Sequence, residues 1–366
     1  MNRTVRVELG PRSYDVLIGP GMLKGLGSAA AAVGSARQAV VIADSNVAGL
    51  YGPAACGSLR GAGLAAEIID FPAGEEHKVL ATYEVLMDRL FALRPAIDRE
   101  TIIVALGGGV AGDLSGFLAA TALRGLRWLQ CPTTLLADVD ASVGGKTGID
   151  HPAGKNLIGA FHQPRGVVID VATLKTLPPR ELRSGLAECV KHGMIRDASL
   201  LNFIEANTAA IVASDEAVMT ELVARNVAIK AAVVSADERE SGQRAHLNFG
   251  HTIGHGIESR LGLGTITHGE AVSLGMAAAC HLAQRRGMID LSVARRLEGL
   301  LSALDLPIRW DGLDPAGIWE IMQHDKKNRS GRVRMVLPTA LGKVDIFDDI
   351  TAEAVKEALA YLAKRN

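Results

Sequence analysis

The stretch ETIIVALGGGVAGDLSGF, residues 100–117, constrains the fold of this chain more than any other. An apolar run of strand length meets a cluster of glycines and then the start of a helix. Gly107, Gly109 and Gly112 satisfy G-x-G-x-x-G, in which missing side chains let backbone N–H groups approach a pyrophosphate at a helix N-terminus. Tight turns without any ligand fit the same pattern, so the loop needs support from elsewhere. Asp44 supplies some, because it ends the apolar run QAVVIAD where a carboxylate can accept hydrogen bonds from a ribose. FPAGEEHK, residues 71–78, is a second turn at a strand end. The acidic strand end precedes the glycine loop, the reverse of the usual Rossmann order, and so implies a variant layout.

Around this loop the first half alternates between strand-like and helix-like segments. Strands are expected at 5–9, 14–18, 39–43, 66–71, 101–106, 127–131 and 166–171, with an amphipathic helix at 79–93. Such alternation predicts a mostly parallel sheet covered by helices. Beyond LPPREL, residues 177–182, helical patterns dominate. One helix is expected near Ser214 as N-cap, followed by Asp215 and Glu216, with Val218, Leu222, Ile229 and Val233 on one face. Only RMVLPTALGKVDIF, residues 334–347, reads as a late hairpin. The expected organisation is an α/β, Rossmann-like nucleotide-binding domain over residues 1–178, then a mainly α-helical domain over residues 179–366.

Composition is consistent with that plan. The 366 residues are 48% apolar and 22% charged, enough to fill two cores. A net charge of −1 without blocks of like charge argues against a nucleic-acid or anionic-membrane surface. No apolar run reaches the roughly 18 residues of a membrane span, and the N-terminus lacks the apolar run of a signal peptide. Cys56, Cys131, Cys189 and Cys280 are far apart and read as reduced thiols. A soluble, cytoplasmic protein is expected.

LNFGHTIGHGIES, residues 247–259, places His251 and His255 one helical turn apart, as in the H-x-x-x-H pairs of metalloproteases. The glutamate that would serve as a protease base is absent, since Thr252 stands there. His268 opens another helix in THGEAV, and Glu188 lies in GLAECVKHGMI with Lys191 and His192 on its own face. Histidines and a carboxylate with one open position suit a Lewis-acid divalent ion. Spacing alone leaves all four side chains, Glu188, His251, His255 and His268, open as ligands. Arg124, Lys146, Lys155, Lys230, Arg244, Lys326 and Lys327 sit in or beside glycine, asparagine or histidine turns. Together they suggest a pocket for a substrate carrying phosphate and carboxylate.

PTTLLADVDASVGGKTGIDHPAGKNLIGAFHQP (132–164), GGGVAGD, GLAECVKHG, RAHLNFGHTIGHGIE and HGEAV together resemble the 3-dehydroquinate synthase family, from about residue 40 to about residue 340. The resemblance implies a homodimer that uses NAD⁺ and a divalent metal, zinc or cobalt. It implies conversion of 3-deoxy-arabino-heptulosonate 7-phosphate to 3-dehydroquinate and phosphate. The steps are transient oxidation, β-elimination, re-reduction and an aldol ring closure. Metal ligands would be Glu188, His251 and His268, with His255 lying toward the substrate instead.

By the same resemblance, NAD⁺ contacts fall on Asp44 and on Gly74, Glu75, Glu76, His77 and Lys78 of the second turn. They continue at Gly109, Val110, Ala111, Gly112 and Asp113 of the glycine loop, at Thr133 and Thr134, and at Thr173, Leu174, Lys175 and Thr176. Lys146 and Lys155 would be shared between cofactor and substrate. Asp140, Asn156, Lys191, Lys230, Arg244, Asn248 and Lys326 or Lys327 match the substrate pocket, and Arg124 matches an arginine reaching the neighbouring subunit's phosphate. Two departures, GID at 148–150 for a commoner GVN and His192 for a frequent tyrosine, are expected to touch no proposed ligand and to leave the activity unchanged.

Overall fold

All seven expected strands form and join one sheet. They are β1 (Arg3–Val7), β2 (Tyr14–Gly19), β3 (Gln38–Asp44), β4 (Ala65–Phe71), β5 (Ile102–Gly107), β6 (Arg127–Pro132) and, after a separate hairpin of β7 (Lys146–His151) and β8 (Gly154–Phe161), β9 (Val167–Asp170). The order is β1-β2-β9-β6-β5-β3-β4, with β1 antiparallel to β2 and every other pair parallel. The computed structural model describes residues 1–240, 242–262, 264–324 and 333–363.

The central strands are apolar throughout because both faces are covered. On β3, Ala39, Val41 and Ala43 pack against Leu26 and Leu59, while Val40 and Ile42 pack against Leu86, Leu114 and Trp128 on the other side. Each such buried aliphatic contributes roughly 1.5–3 kcal/mol, so this two-sided core sets the sheet and the level of its strand ends. Gly107 ends β5 at φ 150°, and a Cβ there would stand 2.7 Å from that of Ala111. Glycine is what lets the chain turn straight into the helix Gly109–Thr121.

The described residues divide into two units. The first is Met1–Leu177 with Glu216–Arg239, and the second is Pro178–Asp215 with Glu240–Asn366. The chain crosses between them after Leu177, close to the expected boundary at 178, but the helix Glu216–Ala236 returns to the first unit. A single boundary misses this return, because nothing local in a sequence says which core a helix joins. This helix buries Met219, Leu222, Val223, Val227 and Val234, and also Asn226 and Lys230. The expected stripe was therefore partly wrong: Val218 and Ile229 are only half-buried, and polar Thr220, Asn226 and Lys230 are buried. Ser214 is not the N-cap; at φ 53° it closes the preceding helix, Ala198–Val212, and the new helix begins at Glu216.

The second unit is mainly helical, with the expected hairpin formed by β10 (Met335–Ala340) and β11 (Lys343–Phe347). Its helix Pro179–Arg196 starts on a proline whose missing N–H costs nothing at that position. The helices His251–Leu261 and His268–Arg285 pack closely, as do His268–Arg285 and Pro179–Arg196. The close approach requires glycine. A Cβ on Gly275 would collide with the Gly250 carbonyl, and one on Gly269 with the Ser184 backbone. No helix among the described residues is long and apolar enough to cross a membrane.

One residue of the first unit works against stability. Asp138 is fully buried, and neither carboxylate oxygen has a hydrogen-bond partner. Burial, reinforced by Asp170, pushes its pKa well above the usual carboxylate range. The folded form thus holds a proton that the unfolded chain releases near pH 4, and stability falls as pH rises from there toward the folded pKa. Asp138→Asn should therefore stabilise the protein at pH 8 by about 1–3 kcal/mol, read as denaturant midpoints of the two proteins. A lower midpoint for the variant at that pH would contradict this account.

Candidate active site

The three helices held together by Gly269 and Gly275 bring Glu188, His251 and His268 to one point. Glu188 is completely buried on the helix Pro179–Arg196. His251 begins the helix His251–Leu261. His268 is fixed as the first residue of its helix by a capping box, in which Thr267 accepts from the Glu270 N–H and Glu270 accepts from the Thr267 N–H. Arg180 grips the same Glu270 through two hydrogen bonds of 3.0 and 2.7 Å.

The Nε2 atoms of His251 and His268 each lie 3.4 Å from Oε1 of Glu188, and the three ligand atoms lie within 4.8 Å of one another. Neither Glu188 oxygen receives an aligned hydrogen bond, so the 3.4 Å approaches gather the three groups around a common centre without bonding them to each other. Ligands about 2.1 Å from a tetrahedral zinc ion stand about 3.4 Å apart. The donors thus fit a divalent ion in both chemistry and spacing. Of the adjacent pair, His251 faces Glu188 at 3.4 Å, while His255 lies beside it with ring centroids 5.2 Å apart.

Charge is tuned to match. Burial alone would raise Glu188, but the adjoining Lys191 ammonium and the imidazoles outweigh it and hold the carboxyl well below its usual range. Burial lowers His251, leaving a neutral ligand. Burial opposes charge on His268 too, but Glu188 and Glu258 prevail and raise it to about 9. Arg244 is buried in the turn Gln243–Asn248, and Asn248 donates to Glu240 at 3.1 Å. Lys326 and Lys327 lie outside the described residues.

In the first unit the sheet reverses its order between β3 and β5, since β4 lies to one side and β5, β6 and β9 to the other. Ligands of open α/β sheets bind at such a point, beyond the carboxyl ends of the strands. Asp44 ends β3 there, and its Oδ2 lies 3.0 Å from where a Gly107 Cβ would be. The Asp44 carboxylate also caps the next helix, accepting from the N–H groups of Asn46 and Val47. The glycine-loop residues Gly109–Asp113 open the helix that follows β5.

Several expected residues meet in pairs within this unit. Lys78 is buried with its ammonium 2.5 Å from Asp113 and 2.6 Å from the Asn156 side-chain oxygen. Burial disfavours the Lys78 charge, yet Asp113 and Glu75 overcome it and raise its pKa. Asn156, at φ 53°, is held by its N–H on Asp150 at 2.7 Å. Asp150, the last residue of the GID departure, thus contacts Asn156 directly. Lys155 faces Glu75 at 3.8 Å, and Lys230 pairs with Asp140 at 2.7 Å.

The remaining expected residues are placed singly. The Thr133 N–H is bonded to the Gly107 carbonyl, and Thr134 accepts from Ala137 N–H. The segment Val171–Thr176 forms one 3₁₀ turn, where Tyr51 reaches Thr173 and Thr176 and Lys175 pairs with Glu216. Gly74, at φ 127°, turns the chain into Glu75–His77. Lys146 is exposed at the start of β7, and Arg124 is exposed at φ 68° beyond the glycine-loop helix. Sequence reasoning missed Glu258, whose Oε2 lies 3.4 Å from Nδ1 of His268. Its signal was its spacing, two helical turns after His251 on the same face.

Comparison with known proteins finds two consecutive matches, which meet at residues 184 and 185. Residues 68–184 match the 3-dehydroquinate synthase N-terminal family and residues 185–328 the 3-dehydroquinate synthase C-terminal family. A 3-dehydroquinate synthase of Desulforamulus reducens is 46% identical, covering 95% of this chain and 96% of its own length. A solved 2-epi-5-epi-valiolone synthase from Streptomyces hygroscopicus subsp. jinggangensis, with NAD⁺ and Zn²⁺ bound, matches with a TM-score of 0.88 at 30% identity over 98% of each chain. A 2-deoxy-scyllo-inosose synthase complexed with carbaglucose-6-phosphate, NAD⁺ and Co²⁺ gives a TM-score of 0.86 at 29% identity, over 98% of this chain and 99% of that one. Both parts match in order, and a relative of nearly equal length shares almost half its residues; the chain belongs to the 3-dehydroquinate synthase family.

Proposed function

We propose that this protein is a 3-dehydroquinate synthase, turning 3-deoxy-arabino-heptulosonate 7-phosphate into 3-dehydroquinate and phosphate. The observation that carries the reading is the convergence of Glu188, His251 and His268 on one point of the second unit. Those three side chains would hold a divalent ion, zinc or cobalt. Bound NAD⁺ would supply reversible oxidation at C5 of the substrate, and the ion Lewis acidity toward the neighbouring hydroxyls.

The chain's own residues take the remaining tasks. In the first unit Asp44 and the turn after Gly107 would receive the nucleotide, with Lys78, Asp113 and Lys155 beside it. Lys146 would neutralise the phosphate, joined by Asn248 and by Arg124 of a partner copy. Arg244 would bind the substrate carboxylate through two parallel N–H groups, a geometry lysine cannot offer. Lys191, Lys230, Asp140, Asn156 and Lys326 would orient the hydroxyls. His255 would move a proton at its ring nitrogen during ring opening and closure. A homodimer in the cytoplasm completes the reading, which for those two features rests on the sequence resemblance.

Two other activities fit the fold. A metal-containing polyol dehydrogenase would make net redox change and leave Lys146, Arg244 and Asn248 without work. A sibling cyclase, like the valiolone and inosose synthases compared above, would take a sugar phosphate lacking the carboxylate. We expect phosphate release from the heptulosonate phosphate to require NAD⁺, to stop on chelation and to return with zinc or cobalt, with no accumulation of NADH. Steady NADH formation would support a dehydrogenase, and turnover of sedoheptulose 7-phosphate alone a sibling cyclase. Arg244→Ala should lower kcat/KM for the heptulosonate by about 10²–10³-fold, the usual cost of leaving a buried charge unpaired. Activity within twofold of the parent would remove Arg244 from the carboxylate.

A further inference from the structure

We infer that Glu258 is a positioning residue for His268: its carboxylate holds the Nδ1 proton, leaves Nε2 as the ligand atom and strengthens that ligand. This rests on the ligand set proposed above. Glu258 lies on the helix His251–Leu261, on the face that carries both histidines. Its Oε2 is 3.4 Å from Nδ1 of His268, and across the same ring Nε2 is 3.4 Å from Oε1 of Glu188. A neutral imidazole has one N–H and one lone pair. Once an ion displaces the Nε2 proton, a carboxylate at Nδ1 keeps the remaining proton there and leaves the Nε2 lone pair for the ion beside Glu188.

His251 is arranged in the same way by a different acceptor. Its Nδ1 lies 3.1 Å from the Phe249 carbonyl oxygen, and its Nε2 faces Glu188. The two backing groups differ in charge. A carbonyl fixes the tautomer, whereas a carboxylate also makes the imidazole more basic and so a stronger ligand.

Glu258 could instead bind an ion itself, because His255, Glu258 and His268 also converge within 4.8 Å. The geometry favours the backing role. The inner group centres on a carboxylate with no exposed surface, while all three members of the outer group are half-buried and open to competition from water. Nδ1 of His268 lies against Glu258, and that nitrogen cannot both donate to the carboxylate and ligate an ion.

The test is zinc affinity of the metal-free protein, measured by competition with a chromophoric chelator, beside thermal unfolding of the same metal-free samples. Glu258→Ala should weaken zinc by about 10–100-fold with the metal-free melting temperature little changed, and Glu258→Gln, which keeps an acceptor without the charge, should weaken it several-fold. Cobalt loaded into Glu258→Gln should show a shifted ligand-field spectrum. Wild-type affinity in Glu258→Gln overturns the inference, whether or not the alanine variant folds. His268→Ala separates the two layers. If it abolishes tight binding while the Glu258 variants bind normally, only the backing role fails. If it binds as tightly as wild type, the ligand set itself fails. A fall from two bound ions to one in Glu258→Ala would place Glu258 in an outer metal site and also overturn the inference.

Discussion

A carboxylate with no exposed surface governs the second unit. Moving Glu188 out of water costs several kcal/mol unless positive charge surrounds it. The chain answers with Lys191 one turn along the same helix and with a charged His268 from another, while His251 faces the carboxylate from a third. Those helices can approach only because Gly250, Gly269 and Gly275 carry no side chains at the crossings. Packing and electrostatics are thus one problem here: close helix contact creates the buried anion, and the anion makes a cation at that point favourable. Lys191 keeps the group ionised before any ion arrives.

In the first unit the corresponding constraint is the order of the strands. The switch between β3 and β5 leaves a gap at the carboxyl edge where two loops diverge. Asp44 and Gly107 end the strands on either side of that gap, which accounts for the reversed order of acid and glycine in the chain. The pair of buried Lys78 with half-buried Asp113 fixes the second turn to the start of the glycine-loop helix.

Much of this was legible in the chain. Apolar strands of a two-faced sheet announce themselves, so all seven sheet strands were found within two or three residues of their observed bounds. The β7–β8 hairpin was not, because KTGIDH and GKNLIGAF carry glycines that read as turns, and pairing is a non-local property. The return of Glu216–Ala236 to the first unit was hidden for a related reason. Its buried face includes Lys230 and Asn226, which hydropathy counts as surface. At the metal site, the residues alone left Glu188, His251, His255 and His268 open, and only similarity to a known family chose among them. The approach of His251 and His268 to Glu188 depends on three helices far apart in sequence.

The central claim is that one divalent ion is bound by one carboxylate and two imidazoles of the second unit. X-ray absorption at the metal edge of the zinc-loaded protein tests it most directly. The account predicts only nitrogen and oxygen scatterers at about 2.0–2.2 Å, with the outer-shell pattern of two imidazole rings. A sulfur scatterer at about 2.3 Å, or a pattern with no imidazole, would contradict it.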